Sequence, residues 1–216
     1  MENWVATARV LLRGCEYTVF ISGISIIFGL FLGIIIGSLT SQYFSCRVLR
    51  SLGSLYVTII RGTPLFIQIL ICYFGLPTVI RVNLSPLASG IISLSINSSA
   101  YLAEIIRGGI NSLSKGQWES AKVLGYKKSQ IFLYIIYPQV FRNILPSLTN
   151  EFIALIKESS ILMVVGVPEL TKVSKDIVSR ELNPMEMYSI CAGLYLIMTS
   201  LLSYFARLLE RKREET

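Results

Sequence analysis

Long apolar runs alternate with short polar stretches along this chain, and the runs are long enough to cross a membrane. The first, about 10–39, outlasts a signal-peptide core and predicts a retained span. Within it Gly29, Gly33 and Gly37 recur at every fourth position, with Ser25 one step earlier, so one helical face can pack backbone to backbone on a neighbour. From residue 42 to 60 the pattern is mixed. Arg47 and Arg50 sit among Leu49, Leu52, Leu55 and Tyr56, as on a helix lying partly in the interface. Arg61-Gly62-Thr63-Pro64 then punctuates the chain and opens a second span, about 64–80, whose lone amide, Gln68, either bonds a neighbouring helix or lines a cavity. The third span, about 87–106, is interrupted by Ser93, Ser95, Asn97, Ser98, Ser99 and Glu104. So many polar groups predict a helix enclosed by protein or bordering water. Glu104 and Arg107 are spaced to form a structural ion pair at its end. Pro138 and Pro146 read as breaks before a fourth span, about 145–165, and a fifth runs from about 187 to 208.

Between the third and fourth spans lies a polar segment, about 107–143. Trp118, Ala121 and Gly125 fall on one narrow helical stripe, with Glu119, Ser120 and Lys122 turned elsewhere. Gly125 stands where a left-handed cap ends a helix, and Ser129 is placed to cap a second one whose apolar face is Phe132, Ile135 and Ile136. The expected shape is a helix, a bend and another helix. It serves either as an interfacial linker or as a docking element, with small residues on an exposed stripe that another protein approaches.

The fourth span carries Asn150, Glu151, Lys157 and Glu158, the densest polarity among the spans. An ionised side chain at mid-bilayer costs about 2.5–3.5 kcal/mol even on a lenient insertion scale, so packing alone does not account for these. Glu151 and Glu158 are two helical turns apart, on one face and about 10 Å apart along the axis. Two such carboxylates suit a ligand with separated cationic groups; alternatively Lys157 neutralises one of them, or the helix end lies in water.

Composition agrees with a bilayer protein: 53% of the 216 residues are hydrophobic, 15% are charged, and the mean hydropathy is +0.62. The net charge of +7 comes from basic residues beside apolar runs, which argues for a positive-inside membrane protein and against nucleic-acid binding. The basic tail, Arg207, Arg211, Lys212 and Arg213, places the C-terminus in the cytoplasm. Five spans then put Arg47, Arg50 and residues 115–128 inside, and the loops at Arg81 and Lys172 outside. Cys15, Cys46, Cys72 and Cys191 are too scattered for a metal site or a disulfide set, and there is no histidine. The chain also lacks a Gly-x-x-x-x-Gly-Lys-Ser/Thr loop, so any ATP chemistry belongs to a partner.

Glu119-Ser120-Ala121, then Gly125, then Ile144-Leu145-Pro146 resembles the conserved cytoplasmic loop of bacterial ATP-binding-cassette importer permeases. The match narrows to the polar amino acid branch through Arg61-Gly62-Thr63-Pro64, the run 101–109, Lys115-Gly116-Gln117-Trp118, Asn150-Glu151-Phe152 and the run 166–170. The resemblance implies a single all-α polytopic domain over 1–216, with five transmembrane helices and the type I importer permease fold. It implies a non-catalytic permease in the bacterial cytoplasmic membrane that imports a glutamine-, arginine- or histidine-type amino acid. By the same resemblance, Trp118, Glu119, Ser120, Ala121 and Gly125 couple to a separate ABC ATPase dimer, which holds ATP and magnesium. Gln68, Asn97, Ser98, Asn150, Glu151 and Glu158 are the candidate substrate contacts. Glu158 departs from the family's usual Asp, which leaves substrate identity open. The chain itself is expected to hold no metal or cofactor. One docking loop per chain calls for a second permease, identical or paralogous, alongside a periplasmic or lipid-anchored amino-acid-binding protein. Two rivals remain: a proton-coupled secondary amino acid transporter using Glu151 or Glu158 as relay, against which the chain lacks an inverted repeat, and a purely structural membrane subunit.

Overall fold

The computed structural model describes residues 2–43 and 46–214, and these form helices throughout, with no strand. Helix α1, Glu2–Thr40, is followed by α2, Arg47–Gly62. Next comes α3, Leu65–Leu70, which continues through a π-helical turn, Ile71–Gly75, into α4, Leu76–Ile80. The axis bends by 103° between Arg47–Gly62 and Leu65–Val79, at the proline predicted to open a new helix. Helix α5, Pro86–Ser112, starts with Pro86 in its first turn and Ser85 as cap, its hydroxyl accepting from Ala88 N at 3.1 Å.

Trp4–Thr40 and Pro184–Leu208 qualify as membrane-crossing helices by length and apolarity, and the bent pair passes together as one broken span or re-entrant loop. Among the described residues α5 and the helix after the elbow do not pass that composition test, because serine, asparagine and glutamate interrupt them. Helix α5 is enclosed instead. Ser93, Ser95, Asn97, Ser98 and Ser99 of α5 are all buried, as the polar pattern predicts.

The first helix packs along α5 on its glycine face. A β-carbon at Gly33 would lie 2.7 Å from Leu102 Cβ, and one at Gly37 would lie 2.6 Å from the Ala103 carbonyl oxygen. Only hydrogen fits there, so the every-fourth-residue pattern sets the distance between these two helices. Ser25 continues the seam, donating to Ile91 O at 3.4 Å.

Several boundaries differ from the sequence expectation. Helix α5 runs to Ser112, past residue 106. The elbow contains α6, Lys115–Val123, then the short α7, Lys128–Gln130, a second π-helical turn, Ile131–Ile136, and α8, Tyr137–Glu158. The non-helical part of the segment 107–143 is therefore brief. Ser129 does not cap the second helix: the cap is Lys127, whose N–H donates to Gln130 Oε1 at 2.8 Å, starting the helix two residues earlier. Pro146 is no break either, since α8 continues through it. Ser159–Val165 finishes this run as a 3-10 helix; α9, Leu170–Glu181, and α10, Pro184–Glu214, complete the chain.

Candidate functional site

Two polar regions stand out from the apolar scaffold, the elbow and a layer along α5. In the elbow, α6 ends at Gly125 with φ +82°, the left-handed conformation predicted there, and Tyr126 N bonds back to Ala121 O at 3.1 Å. Trp118 does not lie on an exposed stripe. It is 3% exposed, stacks on Tyr43 with ring centroids 4.0 Å apart, and meets the edge of Phe132 at 5.0 Å. Ala121 is buried beside it. Trp118 and Ala121 of the stripe that periodicity picks out thus fasten the elbow to its own chain, in one core with Ile106, Ile110, Ile136 and Ile144, while Gly125 is exposed. The face turned outward is Glu119, Ser120 and Lys122, with Val123 and Leu124 at 88% and 74% exposure. Charged groups around two bare aliphatics on a capped helix make a surface that fits another protein.

The layer along α5 begins where Asn97 Nδ2 donates to Gln68 Oε1 at 3.0 Å. Gln68 Nε2 in turn donates to Ile60 O at 2.8 Å and to Thr63 O and Oγ1 at 3.1 and 2.9 Å. Of the two roles open to Gln68, the structure therefore has it bonding a neighbouring helix, and its donors are committed to the bend. One residue on, Ser98 is fully buried near Glu151 of α8, its hydroxyl meeting no hydrogen-bond partner among the described residues. Ser99 Oγ meets Tyr56 Oη at 2.5 Å. Glu151 and Glu158 are both half-buried and, seven residues apart on α8, lie on a common face. Lys157 is exposed and within reach of Glu158. Asn150 is turned away. It lines an open groove of about 520 Å³ between α8 and α10, with Thr149, Thr199 and Ser203. The structure thus brings together Gln68 with Asn97, and Ser98 with Glu151, while Asn150 belongs to another face.

A turn further along α5, Glu104 receives both Nε and Nη2 of Arg107, at 3.0 and 2.7 Å, the expected ion pair in two-point form. Arg61, from the α2–α3 bend, reaches the same carboxylate at 3.7 Å and lies 5.0 Å over the Tyr101 ring. Sequence spacing carries no sign of this third member, 43 residues away from Glu104.

Glu169 also escapes sequence reasoning. Completely buried, it caps α9: its carboxylate accepts from Thr171 N at 2.8 Å, Lys172 N at 2.7 Å and Tyr195 Oη at 2.9 Å. Burial raises this carboxyl above its ordinary range, and the bonds bring it part of the way back. An acidic residue directly before a helical pattern was the available signal. Glu169→Gln leaves three donors with one good acceptor and is expected to cost about 1–3 kcal/mol, read as a lower thermal midpoint in detergent. Asp176→Asn, on an exposed turn of the same helix, should leave the midpoint almost unchanged.

Residues 29–215 match the model of the binding-protein-dependent transport system inner membrane component. The chain is 40% identical over 202 residues to a putative glutamine transport system permease protein of Rickettsia bellii, covering 94% of this chain and 92% of that one. It is 34% identical over 204 residues to the glutamine transport system permease protein of Escherichia coli K12, with the same coverage. Among solved structures it superposes on an amino acid ABC transporter crystallised with histidines, at a TM-score of 0.87 and 36% identity, covering 97% of each chain. An inward-facing methionine ABC transporter shares the fold at a TM-score of 0.82 and 20% identity, covering 94% of this chain and 95% of that one.

Proposed function

Because this chain belongs to the binding-protein-dependent transport system inner membrane component family, we propose that it imports glutamine or a closely related polar amino acid. It is a permease subunit of an ATP-driven amino acid importer, built on the all-helical type I fold. In this reading it crosses the cytoplasmic membrane five times with its C-terminus inside. It works beside a second permease, identical or paralogous, receives substrate from an outer binding protein, and leaves ATP hydrolysis to a separate ATPase dimer. The observation that carries the substrate class is similarity over 94% of the chain to glutamine permeases.

Glu151 is the residue we assign to the substrate ammonium, since it is a half-buried carboxylate facing Ser98 of the enclosed helix. Glu158, two turns on, extends the acidic face toward the substrate's other end. The chain makes and breaks no bond. It selects by charge, and it changes access when the ATPase pair moves the elbow through Glu119, Ser120 and the Gly125 bend.

The test is to purify the permease with its ATPase and measure ATP hydrolysis against a panel of L-glutamine, L-arginine and L-histidine. One of these should stimulate turnover, and Glu151→Gln should raise the half-saturating concentration about tenfold, a loss of about 1.4 kcal/mol. Uptake that proceeds without an ATPase and collapses with the proton gradient would instead establish the secondary-transporter mechanism.

A further inference from the structure

Helix α1 spends its glycine face on α5 and leaves another face bare. Phe20, Ile27 and Phe31 on that bare face are exposed. Seven and then eleven residues before Phe20 the same line meets Arg13 and Arg9, which are exposed too. Among the described residues neither guanidinium forms a hydrogen bond or an ion pair.

Their height in the membrane follows from helix length. Arg13 and Arg9 stand 27 and 31 residues before Thr40, where α1 ends beside the elbow, which at 1.5 Å per residue is roughly 40–47 Å away. A bilayer with its headgroup regions is about 40–45 Å thick, so with Thr40 at one boundary the pair reaches the headgroups of the leaflet away from the elbow. The other side of these turns is fastened to the protein: Leu11 is buried with Leu170, Ile177 and Met187, and a β-carbon at Gly14 would lie 2.9 Å from Leu170 Cα.

Next to the pair, toward the membrane middle, Leu12, Cys15, Val19 and Phe20 form with Met198 of α10 an open, largely apolar cavity of about 530 Å³. Glu16 lines it as well. Two arginines against this one carboxylate leave a surplus of one positive charge at the headgroup end of the groove.

We propose that the groove between α1 and α10 binds a singly anionic phospholipid, with Arg9 and Arg13 on its phosphodiester and an acyl chain along Val19, Phe20 and Met198. Guanidinium groups present parallel donors that match two phosphate oxygens, and the apolar groove continues in line from them toward the bilayer middle. Free phosphate shares the headgroup chemistry but leaves the apolar groove uncovered, and a headgroup with more than one negative charge meets Glu16. The site does not depend on which solute is transported.

Native mass spectrometry of the permease–ATPase complex in neutral detergent tests this, with phosphatidylglycerol, phosphatidylcholine and inorganic phosphate as probes. Wild type should bind phosphatidylglycerol saturably and at least about fivefold tighter than phosphatidylcholine. Arg9→Gln combined with Arg13→Gln should remove that preference. Met198→Trp, which fills the groove and keeps both arginines, should weaken both lipids alike. Glu16→Gln should strengthen phosphatidylglycerol binding severalfold, and it decides the matter if the double arginine variant does not assemble. A preference that persists without the arginines, or an affinity unmoved by both Met198→Trp and Glu16→Gln, overturns the proposal. So does displacement of the lipid by millimolar phosphate, which assigns the arginines to a free anion. Absence of a saturable adduct on wild type overturns it too and leaves this face to another protein. Stimulation of ATP hydrolysis by amino acid, measured on the same complex, reports on the importer reading separately.

Discussion

Gly37→Val should prevent the permease from accumulating as a folded protein, whereas Gly23→Val in the same helix should leave its yield unchanged. The two glycines share α1, but only Gly37 faces α5. A β-carbon there would lie 2.6 Å from the Ala103 carbonyl oxygen and 3.0 Å from Ile106 Cβ, while one at Gly23 meets nothing within 4 Å. Overpacking costs about 1–3 kcal/mol in cores that can shift. Here the obstacle is backbone in a continuous helix, and Gly33 grips the same seam one turn away, so the cost should reach or exceed the upper end of that range. Monodisperse protein recovered by detergent extraction and size-exclusion chromatography is the readout. A normal monodisperse peak for Gly37→Val would mean that α1 and α5 separate more easily than their contact indicates.

The second large effect is expected at Trp118. Truncation to alanine removes the stack on Tyr43 and the edge contact to Phe132, and burying a tryptophan of this kind is worth about 3–5 kcal/mol. The loss falls on the attachment of α6 to the rest of the chain. Trp118→Ala should therefore lower substrate-stimulated ATP hydrolysis more than tenfold, while Trp118→Phe, which keeps a ring against Tyr43, retains most of it. Equal loss in both variants would assign Trp118 to direct contact with the ATPase. Unchanged stimulation in Trp118→Ala would remove it from coupling altogether.

The parts of this molecule that could be read from the sequence are those governed by local chemistry. Every-fourth-residue glycine predicts the α1–α5 seam because a helix brings those positions onto one line, and Gly125 predicts its own backbone state because few other residues adopt it cheaply. The serine-rich pattern of α5 predicts enclosure because lipid cannot satisfy hydroxyls. The direction in which a stripe faces was not available. Trp118 and Ala121 share a line on α6, but only the positions of Tyr43 and Phe132 decide that this line points inward. Asn150 and Glu151 are neighbours in sequence and about 100° apart around a helix, so they address different spaces. Arg61 joins Glu104 across 43 residues, a relation set by the bend at Pro64 and by nothing local. Pro146 misled for a related reason: proline disfavours a helix locally, yet the helix runs through it in its tertiary setting.

The six-residue π-helical turn Ile131–Ile136 has a consequence for everything beyond it. A π-helical turn takes about one more residue than an α-turn to go once around, and one residue corresponds to about 100° of azimuth. That surplus sets the angular phase between Phe132, which clasps the elbow, and Glu151, on the acidic face of α8. The two ends of the run are geared to each other by residue count. Inserting or removing a single residue in this turn rotates the acidic face relative to the tryptophan clasp, although both ends keep every side chain they had.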